Sequence, residues 1–320
     1  VVPPQMRLGK EWYQGTADAV YQNFNLIHDF RPDLIAVFGA DHIYRMDIGH
    51  MVRFHRKKEA DLSIAMLPVP SVEATGFGVA EATPDDRIVS WLEKPDDPPE
   101  MPDRAGYSYA SMGNYIFEPR ALINVLREVA EEGLEPDFGT TIVPRMVDDH
   151  DYGVYAYDFH RNRVPGIKPY EEVGYWRDVG TLPAYWSAHM DLLGKQPRFD
   201  LNNRMWPIHS QSYQRASPRV LSGQIEDSSL GVGTVVDEAT IVRSVIGRDV
   251  WVEKGAEIVD SIIMDHCRIG PDSRIRKGIV DRYNYIQPGE VIAADSPTDR
   301  SESRVVDDLI AIARGRTRPI

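Results

Sequence analysis

The sequence lacks three features, and each absence narrows the class of protein: a second cysteine, long apolar runs and an excess of positive charge. A single cysteine among 320 residues excludes an internal disulfide framework and any multi-cysteine metal site. The purely apolar runs span only a few residues, as at 34–38, so no segment is predicted to cross a membrane. The first residues, Val1-Val2-Pro3-Pro4, lack the basic and hydrophobic regions of a signal peptide, and we expect a cytoplasmic protein.

The charge balance is acidic, with 36 Lys and Arg against 49 Asp and Glu and a formal net charge of -13. Nucleic acid is not expected as the main partner, because binding to a phosphate backbone needs a basic face. An acidic chain can still bind phosphorylated small molecules if it has a few well-placed cationic side chains and a divalent cation. At 36.2 kDa, with 42% hydrophobic residues, the chain is long enough for two compact domains.

Helical and strand-like segments alternate from Trp12 to about Leu193. The spacing of apolar residues predicts a helix over 17–27, followed by a buried parallel strand over 34–38. Further strands are predicted over 61–67, 76–82, 87–92, 111–117 and 154–159, and further helices over 47–57, 120–131 and 182–193. This alternation predicts an α/β sandwich with a mainly parallel sheet, which binds its ligands at the carboxyl ends of the strands.

The composition of the chain changes near residue 195, where prolines and polar residues indicate a linker over 195–219. Aliphatic residues then recur at steps of five or six, or nearly a double step, at Ile241, Ile246, Val252, Ile258, Ile263, Ile269, Ile275 and Ile286. A period of six is typical of the hexapeptide repeats of a parallel β-helix, whose aliphatic residues point inward. A β-sandwich of short strands is the alternative, although its turns recur at about 8 to 12 residues. Apolar spacing over 301–314 predicts a terminal helix, so the predicted domains are 1–194 and 220–320.

Two aspartates are candidates for a shared metal site. Asp41 directly follows the predicted strand over 34–38, where its carboxylate would project into the ligand crevice. Asp178 lies far away in sequence, beside a Gly-Thr turn and just before a predicted helix. Mg²⁺ in phosphoryl-transfer sites uses one or two carboxylates together with phosphate oxygens. Either aspartate could instead be an ordinary turn former or helix cap.

Other candidates for ligand binding follow strands or begin a helix. Lys94 could contact a phosphate and Glu93 could accept hydrogen bonds from sugar hydroxyls, although the two could also form a surface ion pair. Gly15 and Thr16 open the first helix, where backbone N–H groups bind anions, but an ordinary helix cap has the same pattern. Ser111 could offer a hydroxyl or serve packing alone. Neither a zinc-type histidine spacing nor a nucleophilic triad is present.

A series of motifs, taken in order, resembles that of the ADP-glucose pyrophosphorylases, also called glucose-1-phosphate adenylyltransferases. The motifs are Trp12-Tyr13-Gln14-Gly15-Thr16-Ala17-Asp18-Ala19-Val20, Ala40-Asp41-His42-Ile43-Tyr44, Phe77-Gly78-Val79, Glu93-Lys94-Pro95, Ser111-Met112-Gly113, Asp137-Phe138-Gly139 and Tyr175-Trp176-Arg177-Asp178-Val179-Gly180-Thr181. Each motif alone is weak, but their order and the repeats that follow make the resemblance specific. It implies a Rossmann-like nucleotidyltransferase domain followed by a left-handed parallel β-helix of hexapeptide repeats.

The resemblance implies an enzyme that makes ADP-glucose and pyrophosphate from ATP and glucose 1-phosphate. Asp41 and Asp178 would then bind Mg²⁺, and Lys94 would bind the phosphate of glucose 1-phosphate. The residues of the sugar pocket would be Gly78, Glu93, Ser111 and Trp176, and those beside the nucleotide would be Tyr13, Gly15 and Thr16. The family also implies a homotetramer with a small-molecule allosteric effector.

One departure from the family pattern concerns the triphosphate. The family begins with a strand and a Gly-rich loop carrying Arg and Lys, and this motif does not occur in the sequence. The resemblance therefore implies an N-terminally incomplete domain that lacks about the first βαβ units of a nucleotide-binding fold. Two alternatives stay open: a related sugar-1-phosphate nucleotidyltransferase that uses another nucleotide, and a non-catalytic regulatory or assembly subunit.

Overall fold

The computed structural model describes residues 12–211, 213–296 and 303–315. The described chain forms two compact units. The first contains Arg45–Val164 and the described residues up to Ala40, and the second contains Asp41–Tyr44 and the described residues from Pro165 onward. The predicted limits at 194 and 219 stay predictions. None of the described helices is both long and apolar enough to span a membrane.

Up to residue 190 the helices and strands largely follow the predicted segments. They are α1 (Asp18–Tyr21), α2 (Phe24–Phe30), β1 (Ile35–Phe38), β2 (His42–Tyr44), α3 (Ile48–Lys58), β3 (Leu62–Pro70), β4 (Gly78–Ala82), β5 (Ile88–Glu93), β6 (Tyr107–Phe117), α4 (Pro119–Glu132), α5 (Val143–Asp148), β7 (Val154–Asp158), β8 (Trp176–Asp178) and α6 (Leu182–Met190). Short 3₁₀ turns cover Ser71–Gly76 and Phe159–Arg161, and a π-helical turn covers Phe138–Ile142.

The sheet of the first unit has the order β5-β4-β6-β3-β7, with β1 beside β6. The α/β class is confirmed, but the pairing of these strands is mixed rather than mainly parallel. Only β3 and β7 pair in parallel, whereas β1, β3 and β4 each run antiparallel to β6, and β4 runs antiparallel to β5. The reason is the connection. Between β3 and β6 the chain contains β4, β5 and one short 3₁₀ turn, but no α-helix that could serve as a crossover. Neighbouring strands that are joined without a crossover helix pair antiparallel.

An irregularity in β6 buries a polar side chain. Between the pairs Ile64–Tyr115 and Met66–Ser111, one residue of β3 faces three residues of β6, and Gly113 in this bulge has a φ of 66°. Asn114 follows it with 0% exposure, and neither atom of its side-chain amide has a hydrogen-bond partner among the described residues. Such a group opposes folding by about 1–3 kcal/mol.

The second unit contains a solenoid of short strands, which pair in parallel except for the strand Ser303–Val306. These are β9 (Arg219–Val220), β10 (Gly223–Glu226), β11 (Ser229–Leu230), β12 (Val235–Val236), β13 (Ala239–Val242), β14 (Val245–Ile246), β15 (Trp251–Val252), β16 (Glu257–Val259), β17 (Ile262–Ile263), β18 (Arg268–Ile269), β19 (Arg274–Arg276), β20 (Gly278–Val280), β21 (Tyr285–Ile286), β22 (Val291–Ile292), β23 (Ser303–Val306) and β24 (Leu309–Ile312). They form three sheets, and the predicted β-helix is confirmed as a β-solenoid. Its handedness stays a prediction.

The aliphatic positions of the repeats line the inside of the solenoid. Ile241, Ile258, Ile275 and Ile292 stack in register, so one coil takes 17 residues and one of its three faces is shorter than a hexad. All four are at most 1% exposed. Sequence steps of five or six thus correspond to the three faces of each coil.

The predicted terminal helix over 301–314 is wrong. The described residues of this segment form the hairpin β23–β24, and β24 extends the solenoid sheet by pairing in parallel with β20. Asp307 turns the chain with a φ of 54°, which a helix does not tolerate. Ile312 then stacks in register on Val280 and is buried. The open sheet edge after β20 and the β-branched residues outweigh the helical spacing.

We expect Asn114→Leu to stabilise the first unit by about 1 kcal/mol, because it replaces an unpaired buried amide with an apolar group of similar size. Chemical unfolding monitored by circular dichroism measures this change. Asn162→Leu is the matched control: Asn162 is also buried, but its amide pairs with Asp47 and Tyr157 at 2.9 Å, so its loss should destabilise. Equal destabilisation by the two changes would contradict the assignment of Asn114 as unpaired.

Candidate functional site

In the second unit, Asp41 and Asp178 are brought together by a two-stranded ladder. Strands β2 and β8 pair antiparallel, with His42 directly opposite Asp178, and the Val179 N–H donates to the Asp41 carbonyl at 3.1 Å. One side-chain oxygen of each aspartate and one ring nitrogen of His42 all lie within 4.8 Å of one another. The two carboxylates predicted as one site are therefore neighbours.

The two carboxylates are accessible and lack a cationic partner. The Asp41 side chain is 65% exposed and Asp178 is also exposed, and among the described residues neither forms an ion pair with Lys or Arg. The Gly180 N–H donates to Asp178 Oδ1 at 2.8 Å, which fixes this oxygen in a turn. Two carboxylates without a counter-charge repel each other, and oxygen ligands are those that Mg²⁺ prefers. The residues present thus fit a divalent cation.

Gly180 keeps the space beside both carboxylates open. A Cβ atom at this position would lie 3.1 Å from Asp178 Oδ1 and 3.9 Å from Asp41 Oδ2. Those two oxygens therefore face the same point. Trp176, on the same strand as Asp178, is buried, and its ring lies 5.0 Å from the His42 ring in an edge-on arrangement.

In the first unit, Glu93 is enclosed by two glycines. It lies opposite Gly78 in the β4–β5 ladder, and Cβ atoms at Gly78 and Gly139 would lie only 2.9 and 2.7 Å from Glu93 Oε2. Burial raises the pKa of Glu93, and the nearby Lys94 opposes this effect. Both glycines are thus required by the position of this carboxylate.

Lys94 has backbone and side-chain features that suit ligand binding. Its φ is 48°, in the left-handed region, and its N–H donates to the Phe77 carbonyl at 3.0 Å. Its side chain is exposed, and the structure shows no ion pair between Lys94 and Glu93 or any other described residue, so the alternative of a surface ion pair does not hold. The ammonium group is free to contact an anion.

Asp137 organises the turn next to Glu93. Its Oδ1 accepts hydrogen bonds from the Gly139 and Thr140 N–H groups at 2.8 and 3.0 Å, and its Oδ2 accepts one from the Thr16 hydroxyl at 2.9 Å. Burial alone would raise the pKa of Asp137, but the hydrogen bonds from Thr140, Thr16 and Gly139 lower it on balance. The π-helical turn it caps is of a kind often found at functional sites.

The predicted nucleotide-side residues meet protein groups in this structure. A Cβ at Gly15 would lie 2.5 Å from the Pro136 carbonyl oxygen, which also accepts the Ala17 and Asp18 N–H groups. The first N–H groups of the helix are therefore used by the protein rather than left open for an anion. Tyr13 is half-buried, and its hydroxyl accepts a hydrogen bond from Asn23 at 3.3 Å.

Ser111 lies beside an aromatic cluster. It is 9% exposed, and its hydroxyl accepts the Gly113 N–H at 3.2 Å. Tyr115 stacks on Phe138 with ring centroids 5.4 Å apart, and burial raises the pKa of Tyr115 to about 12. A neutral tyrosine can donate a hydrogen bond at any physiological pH.

The sequence analysis assigned no role to several residues that the structure places around Asp41 and Asp178 or around Glu93. Asp137 and Gly139 belong to a quoted motif without an assigned role, and Gly180 lies two residues after Asp178 in another quoted motif, so both signals were present. His42 was also part of a motif. Tyr115 had no sequence signal, because its position beside Ser111 arises from the bulge in β6.

Comparisons with known proteins cover both parts of the chain. A family model described as "Nucleotidyl transferase" matches residues 3–195, and one described as "GlmU-like, C-terminal hexapeptide" matches residues 215–313. The fold and these matches define a nucleotidyltransferase followed by a hexapeptide-repeat solenoid.

Curated relatives specify the family further. A glucose-1-phosphate adenylyltransferase of Thermodesulfovibrio yellowstonii is 47% identical over 300 residues, covering 94% of this chain and 72% of the relative. Proteins of the same name from Corynebacterium jeikeium and Cutibacterium acnes are 44% and 38% identical, covering 93% and 99% of this chain and 74% and 78% of the relatives. The chain belongs to the glucose-1-phosphate adenylyltransferase family.

We expect Gly180→Ala to weaken binding of a divalent cation roughly tenfold, because the added methyl group displaces the Asp178 carboxylate. Titration with Mn²⁺, followed by electron paramagnetic resonance, measures the affinity. Gly76→Ala is the control, since a Cβ there meets nothing within 4 Å and the backbone is not left-handed. An unchanged affinity in Gly180→Ala would mean that the ion binds elsewhere.

Proposed function

We propose that this protein transfers the adenylyl group of ATP to glucose 1-phosphate, forming ADP-glucose and pyrophosphate for glycogen or starch synthesis. The observation that carries the proposal is the convergence of Asp41 and Asp178, within a chain that matches enzymes of this name over nearly its whole length. The product is an activated glucosyl donor, which is consumed by glycosyl transfer to a glucan.

The metal ion of the proposal is Mg²⁺, held by Asp41 and Asp178. Nucleotidyltransferases are generally metal-dependent. The all-carboxylate pair, its exposure and its lack of cationic partners support a hard divalent ion. When bound, the ion supplies charge neutralisation for the phosphate groups.

In the proposed reaction, a phosphate oxygen of glucose 1-phosphate attacks the α-phosphorus of ATP in line. A new phosphorus–oxygen bond forms while the bond to the β-phosphate bridging oxygen breaks, and pyrophosphate leaves. The sugar phosphate is already an anion, so no covalent protein nucleophile is needed. Catalysis then rests on positioning and on electrostatic stabilisation.

The side chains of the first unit support binding of the sugar phosphate. The Lys94 ammonium, which is exposed and has no ion-pair partner in the described part of the chain, suits the phosphate of glucose 1-phosphate. Glu93, held between Gly78 and Gly139, can accept hydrogen bonds from sugar hydroxyls, and Ser111 can add a further polar contact. From the family motifs, Trp176 is assigned to the sugar, and Tyr13, Gly15 and Thr16 are assigned to the nucleotide.

The family resemblance also supports a homotetramer, a small-molecule effector and a cytoplasmic location as parts of the proposal. On the solenoid, Leu221 and Trp251 are each 51% exposed, and such apolar side chains suit contacts between subunits. A cavity of about 710 Å³, lined by Leu182, Ile279 and Arg304 among others, has the size of a small-molecule site. A monomeric mass in light scattering would contradict the oligomer.

The proposed activity is tested by pyrophosphate release from ATP and glucose 1-phosphate with Mg²⁺. The chain and any longer chain that contains it are assayed beside Asp178→Asn, which keeps the shape but removes the charge. We expect the variant to lose roughly a hundredfold or more in rate with an unchanged circular dichroism spectrum. Release only with another nucleoside triphosphate would favour a related nucleotidyltransferase. No release with any nucleotide would favour a regulatory or assembly subunit.

We expect Lys94→Ala to raise the KM for glucose 1-phosphate by about tenfold to a hundredfold while the KM for ATP changes little, because one charge-assisted contact to the sugar phosphate is lost. Initial rates at varied concentrations of each substrate measure both constants. Lys57→Ala, which removes a lysine from α3 outside the candidate site, is the matched control. A selective rise in the KM for ATP would assign Lys94 to the nucleotide instead.

A further inference from the structure

His42 is the third side chain of the Asp41–Asp178 group, and its role differs from that of the aspartates. Its side chain is only 15% exposed, and its Nε2 lies 3.5 Å from Asp41 Oδ1. It stands directly opposite Asp178 in the β2–β8 ladder, so both side chains project from the same face. Its Nδ1 is buried and has no hydrogen-bond partner among the described residues.

The surroundings decide which ring nitrogen carries the hydrogen. A hydrogen on Nε2 points at a carboxylate oxygen and is attracted to it, whereas a lone pair on Nε2 would face that oxygen and be repelled. A hydrogen on Nδ1 would also be a buried donor without an acceptor. The tautomer with hydrogen on Nε2 is therefore preferred.

The same facts argue against His42 as a metal ligand. A histidine that binds a metal through Nε2 needs its lone pair there and almost always donates Nδ1–H to a carbonyl or carboxylate. No such acceptor is paired with Nδ1 of His42 within the described chain. Proximity to the aspartates alone does not make it a ligand.

The oxygens of Asp41 have different neighbours. Oδ1 faces His42, whereas Oδ2 faces the open space beside Gly180, where Asp178 Oδ1 also lies. The edge-on contact with the buried Trp176 ring, at 5.0 Å, restricts the imidazole on its other side. His42 is thus placed to fix one oxygen of Asp41 while the other stays available.

We propose that His42 is a positioning residue, whose Nε2–H donates to Asp41 Oδ1 and thereby orients Oδ2 towards the metal shared with Asp178. The inference rests on the proposed function only in assuming a metal at this pair. At 3.5 Å the contact is long for a hydrogen bond and needs to close by a few tenths of an ångström. With His42 outside the ligand set, the protein offers only oxygen ligands, as Mg²⁺ prefers and as nitrogen-seeking ions do not.

The test compares His42→Gln with His42→Leu, using Mn²⁺ alone as the probe and no substrate. The Gln amide can place a donor near the position of Nε2, whereas Leu has similar bulk and no donor. We expect His42→Leu to weaken Mn²⁺ binding about tenfold and His42→Gln to restore most of the affinity. Equal losses in both variants would overturn the proposal in favour of a purely steric role.

A second measurement starts from the unaltered protein. Pulsed electron paramagnetic resonance of Mn²⁺ in the unaltered protein should show no ¹⁴N coupling of a directly bound imidazole. Such a coupling, lost in His42→Leu, would make His42 a ligand and refute the positioning role.

A matched control is available in the same chain. His50 also lies 3.5 Å from an aspartate oxygen, Oδ2 of Asp47, but is not part of the Asp41–Asp178 group. His50→Leu should leave Mn²⁺ affinity unchanged. Because these readouts use no substrate, they stay valid if pyrophosphate release fails, and absence of any Mn²⁺ binding would refute both the site and the role of His42.

Discussion

The pairing of two three-residue strands, β2 and β8, is the contact on which the candidate metal site depends. An isolated pair of this length is not stable in water, so other contacts have to support it. Arg177 provides them: it donates to Glu172 at 2.7 and 2.9 Å and to Asp191 at 3.1 Å, and its guanidinium stacks on Tyr175. Successive side chains of a strand point to opposite faces, so neighbouring residues here have different roles. Trp176 and Asp178 face His42, while Tyr175 and Arg177 anchor the strand.

The dependence of the site on the β2–β8 pairing explains which of its features could be predicted from the sequence. Asp41 and Asp178 could be paired from sequence, because a carboxylate after a strand and one in a Gly-Thr turn suit a shared metal. Their geometry could not be predicted, because it depends on the register that places His42 opposite Asp178. Gly15 was assigned to ligand approach, yet the group that approaches it is the Pro136 carbonyl, which is distant in sequence.

In the fold, as in the site, some features follow from the local sequence and others depend on contacts between distant residues. Segment positions follow from apolar spacing, and the solenoid could be predicted because its inward positions repeat as stacked isoleucines. The direction of the strands in the first unit could not be predicted, because it depends on which connections contain a helix. The error at 301–314 has the same origin: spacing favours a helix there, but the free edge of β20 and the turn at Asp307 are visible only in three dimensions.

An acidic chain that binds phosphates has many carboxylates that repel one another, and this chain stabilises them in two different ways. Where carboxylates serve structure, arginines pair with them, as Arg177 does with Glu172 and Asp191. Asp41 and Asp178 have no Lys or Arg partner in the described residues, and so their repulsion persists until a cation binds. Glu93 lies close to Lys94, which forms no ion pair with a described residue, and burial raises the pKa of Glu93. At the positions assigned to a metal ion and to an anionic substrate, the described residues thus leave charges without an ion-pair partner, and binding of the ion or the anion supplies that partner.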